Sequence, residues 1–373
     1  MPETTTVPDA QRPIGRFITE QVLPQWDALN RYPVMDVHNR IMNRALARQT
    51  IQVTQTDRFS AAFLHNGRVV GGRYGRETTL VSDQAAEACS SKSLTRQYWA
   101  AAGVPTAEAS RFYGDDVDAA RDFVRSAPAP VVMKPDSGRH GAGVTFGVTA
   151  AGFDAAWKVA VEANRVPGMG DGVLLEPFQD ALCLRFFVVG GQTRAVTLRV
   201  PLFVTGDGES TLQQLLEQSF AHQQRNVFLS RNRPRITDQL VAASGLALTD
   251  VPAAGALHIL KENVSMLAGG LPYDVTARVS SDLRSLANDA AVAIPGLGAA
   301  GIDVLTPSLD SAEGALALDA DSWASLLMHG YPAFGLRRIV ARPLTHQLRL
   351  RAEHWERPVY SGSALSAVSP EDE

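Results

Sequence analysis

The 373-residue chain is 45% hydrophobic and 20% charged, with a formal net charge of −4. That length exceeds one small core and predicts two or three lobes packed together. The weak negative balance, with no block of Lys and Arg, excludes a strongly basic nucleic-acid binder, so an anionic ligand would have to be met by individually placed cations.

In chain order, residues 1–15 read as a loose polar tail without the apolar core of a signal peptide. A mixed apolar and polar pattern predicts a helix over 14–30. Short β-like runs follow at 51–54, 61–64 and 69–70, with His65, Asn66 and Gly67 as the hairpin turn between the last two. A helix over 91–102 ends at Gly103 with Pro105 beyond, and a second helix spans 116–126. Strands at 131–134 and 144–148 flank a glycine-rich connection, followed by a helix over 153–164 and a strand over 173–176. This order is α+β rather than a string of βαβ units. Strands at 184–189 and 193–200 flank Gly190 and Gly191, a hairpin signal. After the turn at 206–208 a helix covers 210–217, and residues 218–254 read as polar and irregular, with Arg225, Arg231, Arg233 and Arg235. A helix spans 280–293, and two buried strands cover 301–305 and 314–318. Beyond 350 the chain is charged and expected to fray.

No run reaches the apolar length of a membrane span; the longest small-apolar one, 290–300, is broken by Pro295 and glycines. Cys89 and Cys183 are too sparse for a metal-ligand spacing or a disulfide scaffold and read as reduced thiols. A cytoplasmic location follows, with no membrane and no nucleic-acid partner.

Four segments carry chemistry. Lys134 ends an apolar strand and is followed by a loop with Gly138, Gly141 and Gly143, where backbone N–H groups can turn toward an anion without Cβ interference. Rossmann and P-loop readings fit badly, because no clear helix and no Gly-Lys-Ser/Thr follow; an ordinary hairpin remains open. Asp303 sits inside an apolar strand, and Asp319 and Asp321 share one face of its neighbour by the period of two. Clustered carboxylates are costly unless neutralised, and Mg²⁺ would do so; exposed strand ends are the alternative. Glu176 closes a strand and could accept from adenine or ribose, or simply be solvated. Arg185 and Arg199 interrupt apolar strands and each needs an anionic partner, a ligand or a structural salt bridge, with Arg199 the better ligand candidate.

In order, these pieces resemble the ATP-grasp superfamily, and within it the ATP-grasp module of bifunctional glutathione synthetases and cyanophycin synthetases. The matching strings are Ser91-Lys92-Ser93-Leu94-Thr95, Val132-Met133-Lys134-Pro135, Leu175-Glu176-Pro177-Phe178, Arg199-Val200-Pro201, Lys261-Glu262-Asn263, Gly301-Ile302-Asp303-Val304 and Met328-His329-Gly330-Tyr331-Pro332, within residues 89–345. The resemblance implies an α+β ATP-grasp fold: two α+β lobes gripping ATP, at 89–177 and 178–350, preceded by a small α/β lobe at 1–88 and followed by a flexible tail at 351–373. It implies nucleotide binding by Lys92, Lys134, Glu176 and Arg199 with the loop at Gly141 and Gly143, and metal binding by Asp303, Asp319 and Asp321. Arg199, Lys134 and Asn263 would act in catalysis. The chain departs from the family's Glu-x-Asn at Asp319-Ala320-Asp321 and from its Asp-Lys at Ser91-Lys92.

The implied activity is ligation of a small-molecule carboxylate to an amine with ATP and Mg²⁺, Mn²⁺ being the alternative ion, in a homo-oligomer with a dimer favoured. Lids are expected at 136–143 and around 218–235, because water would destroy an acyl phosphate. A non-catalytic ATP-binding regulator and a small-molecule kinase on the same fold are the rival readings.

Overall fold

Alternating side chains build the two sheets that carry the site. A computed structural model gives the fold and describes residues 7–138, 141–164, 172–323 and 325–355. Arg139 and His140 of the glycine-rich connection, most of the C-terminal tail (356–373) and residues 1–6 of the N-terminal one lie outside the described residues.

The chain opens with α1 (Pro13–Phe17), which continues through a π turn and 3-10 turns as far as Ala28. Pro24, which has no N–H to donate, sits where the regular ladder has already given way. Ile14, Phe17, Ile18 and Val22 of this stretch are buried in the core of the larger sheet. After α2 (His38–Arg48) the strands β1 (Gln52–Gln55), β2 (Ser60–His65), β3 (Arg68–Tyr74) and β4 (Glu77–Thr78) form an antiparallel sheet in that order. Its hairpin turn is the expected one: Asn66 and Gly67 have φ of 50° and 75°, the left-handed pair a two-residue hairpin requires.

Helix α3 (Asp83–Ser90) was not among the sequence expectations; Ser82 caps it by accepting from the Ala85 N–H. It leads into α4 (Lys92–Ala101), capped by Ser91. Next come β5 (Ser110–Phe112), α5 (Val117–Ser126), β6 (Val131–Pro135), β7 (Thr145–Val148), α6 (Phe153–Ala163) and β8 (Val173–Pro177). The strands form an antiparallel sheet of order β5-β8-β6-β7. Val131, Met133, Val173 and Leu175 point from it into a small core shared with α5 and α6. By the period of two, Lys134 and Glu176 lie on the opposite face.

The rest of the chain supplies β9 (Leu182–Val189), β10 (Gln192–Val200), β11 (Phe203–Thr205), α7 (Leu212–Gln223), α8 (Val227–Asn232), α9 (Asp238–Val241), β12 (Leu257–Ile259), β13 (Leu271–Asp274), α10 (Ser281–Val292), β14 (Ala299–Thr306), β15 (Leu316–Asp321), α11 (Leu326–Gly330) and α12 (Ala341–Trp355). A five-stranded antiparallel sheet has the order β13-β10-β9-β14-β15. One face sends Leu184, Phe186, Val196, Leu198, Ile302 and Val304 into the main core, which Ala85 and Ala88 of α3 and Trp99 of α4 also enter. At about 25 cal/mol per Å² this apolar burial is the dominant favourable term in the fold.

Residues 218–254 are not irregular. Helix α7 runs six residues past its expected end, and α8 and α9 bury Phe228, Leu229, Leu240 and Val241. Asn226 is fully buried, caps α8 and donates to the Tyr331 and Pro332 carbonyls. The stretch around 218–235, expected as a lid, is therefore anchored, because short apolar clusters among polar residues suffice to dock short helices. Among the described residues no helix is long and apolar enough to cross a membrane. Both cysteines are free thiols.

Candidate active site

The four-stranded sheet presents cations. Lys134 and Glu176, each 5% exposed, meet across β6 and β8 with Nζ donating to Oε1 at 2.7 Å. Arg96, one turn of α4 beyond Lys92, donates to the other oxygen of Glu176. Both Glu176 oxygens are thus committed to cations. Burial pushes the Lys134 ammonium down to about 8, against the pull of Glu176. Burial works to raise Glu176, but Lys134 and Arg96 outweigh it and hold the carboxylate below its usual range. Lys92 Nζ donates to the Gly138 carbonyl at 3.2 Å. The start of α4 is fixed by Asp136, which accepts from the Ser93 N–H at 2.7 Å and from the Ser91 and Ser93 hydroxyls at 3.0 and 2.8 Å.

The five-stranded sheet presents acids held by arginines. Its register puts Arg185 opposite Asp303, Asp303 opposite Asp319, and Gly301 opposite Asp321, all on the face turned from the main core. Arg185 forks onto Asp303, with Nη2 to Oδ2 at 2.9 Å, and its Nη1 reaches Asp321 Oδ2 at 2.8 Å. Gly301 makes this possible: a Cβ there would lie 2.5 Å from Arg185 Nη1. Arg199 also donates to Asp303. Burial works to raise the Asp303 carboxyl, yet Arg185 and Arg199 outweigh it and hold it down. Asp319 makes no side-chain hydrogen bond or ion pair among the described residues. Burial pushes its carboxyl up and Asp303 adds to that, while Lys92 and Lys134 pull it back. The helix α4, which carries Lys92 and Arg96, packs against β15, which carries Asp319, and this joins the two walls.

Asn263 touches the glycine loop from the other side. Its amide donates to the Gly141 carbonyl at 3.4 Å, and a Cβ on Gly141, whose φ is +73°, would meet Asn263 Nδ2 at 2.7 Å. Gly143 is also left-handed, and a Cβ there would meet Ala163 at 2.4 Å. Only glycine fits the two positions without strain.

Buried donors without partners mark what the site would take. Nε and Nη1 of Arg96 and Nε of Arg199 have none among the described residues, and an unmade bond on a buried cation is costly. Phosphate oxygens would satisfy these donors. No group of three or more acidic, His or Cys side chains forms a ready cation cage among the described residues. Asp319 is the carboxylate left uncommitted, while Asp303 and Asp321 share theirs with arginine. That donor set fits Mg²⁺ arriving with phosphates, since Mg²⁺ commonly takes one or two carboxylates and completes its shell with phosphate oxygens and water.

Arg96 escaped the sequence reading, and His329 stands there only within a motif string, without a role. Nothing in the sequence singles out Arg96 beyond its spacing of four from Lys92. His329 is buried on the arginine face, paired through Nδ1 with Thr197 Oγ1 at 2.8 Å, and burial with Arg185 and Arg199 nearby pushes it down to about 3, so it stays neutral.

No family model matches the chain. It is 28% identical over 269 residues to a cyanophycin synthetase of Geminocystis herdmanii, covering 69% of this chain and 30% of the relative. It is 28% identical over 264 residues to the glutathione biosynthesis bifunctional protein GshAB of Enterococcus faecalis, covering 66% and 33%. The chain thus spans about a third of the length of these curated relatives. Its structure is similar to a bifunctional glutathione synthetase of Pasteurella multocida, with a TM-score of 0.53 at 21% identity, covering 82% of this chain and 44% of the other. The two antiparallel sheets and these similarities show that the chain has the ATP-grasp fold, as its sequence motifs imply.

Proposed function

We propose that the chain is an ATP-dependent ligase that joins a carboxylate to an amine, with amino-acid or small-peptide substrates. The observation that carries this reading is the pairing of walls: Lys92, Lys134 and Arg96 on one side, and on the other an unpaired Asp319, carried by β15, which packs against the helix of Lys92 and Arg96.

In the reaction a carboxylate oxygen attacks the γ-phosphorus of ATP, the bond to the bridging oxygen breaks and ADP leaves. The amine nitrogen then attacks the acyl carbon, phosphate leaves and the amine gives up a proton to solvent. Lys134, Lys92 and Arg96 stabilise negative charge on the phosphates, which is electrostatic work done by fixed groups. Arg199 has a buried Nε free to reach the same anion. Asp319 would hold Mg²⁺, or Mn²⁺, beside Asp303 and Asp321, whose carboxylates are already engaged by arginine, and the ion when bound would neutralise phosphate charge. Asn263 would steady the glycine loop at Gly141. Glu176 holds Lys134 and Arg96 in place.

Purified protein given Mg-ATP and mixed amino acids should release ADP and form a new amide detectable by mass spectrometry. The absence of both ADP and a new amide would end the ligase reading.

A further inference from the structure

One N-terminal side chain reaches the middle of the molecule. Arg12, which precedes α1, donates through Nη1 and Nη2 to the two oxygens of Glu262 at 2.6 and 2.8 Å. Its Nε donates to Asp180 Oδ1 at 2.9 Å, and Nη1 also reaches Asp9 Oδ1 at 3.2 Å. The guanidinium lies 5.7 Å from the Phe178 ring centroid. Asp9 in turn accepts from the Ile259 N–H at 2.7 Å. Residues 9–12 therefore grip three pieces at once: the chain leaving β8, the end of β12, and Glu262.

Glu262 is the neighbour of Asn263, and Asn263 is the contact with the glycine loop. Lys261, Glu262 and Asn263 follow β12 outside any regular element and so have no ladder to fix them. The local anchor there is Asn263 Oδ1, which accepts from the Ser265 N–H at 2.9 Å. The direction of Glu262 is set from outside the loop. A bidentate arginine fork sets it better than a point charge would, because it fixes orientation as well as distance. The Arg12 side chain is only 11% exposed. Burial opposes its charge, yet Glu262 and Asp180 outweigh that and raise its pKa further.

We propose that Arg12 is a positioning residue for the ligation site: it holds the 261–263 strap against the glycine loop and ties it to the chain between the two sheets. Its effect on turnover rests on the ligase reading; its effect on the strap does not. The test compares R12M, R12K and the charge exchange R12E/E262R with R12E alone. Backbone hydrogen exchange is read over 259–265, and phosphate release is followed with Mg-ATP and mixed amino acids. R12M should speed exchange over 259–265 at least tenfold and leave β9 and β14 unchanged. It should lower kcat at least tenfold while the KM for Mg-ATP stays within twofold, a split that general loosening would not give. The charge exchange should restore protection relative to R12E. Exchange within twofold of wild type in R12M, or no recovery in the exchange pair, overturns the proposal. R12K, which keeps charge but loses the fork, should fall between, so the comparison survives if R12M does not fold. Wild-type protein that releases no phosphate would sink the ligase reading, and the exchange data would still decide Arg12.

Discussion

On the four-stranded sheet one carboxylate, Glu176, answers to two cations, with Lys92 close by; on the five-stranded sheet one carboxylate, Asp303, answers to two arginines, but with Asp319 and Asp321 beside it. The first wall therefore has cation to spare and the second has acid to spare. Neither imbalance is sensible in a sealed core, where an uncompensated charge costs several kcal/mol. Both make sense if phosphates and a divalent ion complete the junction. The comparison also separates roles. Glu176 and Asp303 are each engaged by two cations, whereas Lys92 is held by a single carbonyl and Asp319 by nothing among the described residues, so we propose Lys92 and Asp319 as the groups that meet ligands.

The largest effects should come from breaking each wall at its engaged pair. Lys134→Met removes a buried cation from the phosphate side, and phosphate release should fall about 10²–10³-fold, the usual loss for one preorganised charge-stabilising group. A rate within threefold of wild type would remove Lys134 from the site. Asp303→Asn leaves buried Arg185 with Asp321 as its remaining carboxylate and buried Arg199 with none among the described residues. It should cost about 3–5 kcal/mol of stability, the range for breaking a buried ion pair by removing one side, read by urea denaturation without nucleotide. A loss under 1 kcal/mol would mean that the arginines are not held by Asp303.

How much of this was legible depended on the range of the interaction. Lys134 and Asp303 could be read because each interrupts an apolar strand, and a period of two says which face it takes. The turns at Asn66-Gly67 and Gly190-Gly191 were legible because left-handed φ is a local demand that few residues meet. Arg96 was not, since nothing within α4 tells which of its polar side chains will face Glu176, 80 residues away. Arg12 and Glu262 are 250 residues apart and both look like surface charges in isolation. The short helices α8 and α9 were missed because their apolar positions are too few to set a period; they exist by docking.

A smaller effect sharpens the cation side. The Lys134 ammonium, pushed down to about 8, begins to lose its proton just above neutrality. An anionic ligand favours the protonated form, so binding above about pH 8 takes up a proton and affinity falls as pH rises. Mg-ADP affinity should drop by up to about tenfold per pH unit there. Lys134→Arg, which stays charged, should flatten the profile even if it binds less well. A flat profile in the wild type would show that Lys134 does not face the phosphates.

The smallest effect has the opposite sign and separates Asp319 from Asp303. A carboxyl whose folded pKa is raised favours the native state at low pH, where it is protonated. That advantage is lost as pH rises through the folded value, leaving an unpaired carboxylate that opposes folding. Asp319→Asn removes the opposing charge while keeping the shape, so the nucleotide-free protein should melt about 1–2 °C higher at pH 7, with the gain shrinking as the pH is lowered toward 4. The same change should weaken Mg-ADP binding, because the uncommitted oxygen ligand is gone. One substitution that stabilises the empty protein and weakens the loaded one is what a ligand-directed acid should give. A buried structural acid such as Asp303 should lose on both counts, and a fall in melting temperature for Asp319→Asn would place it with Asp303.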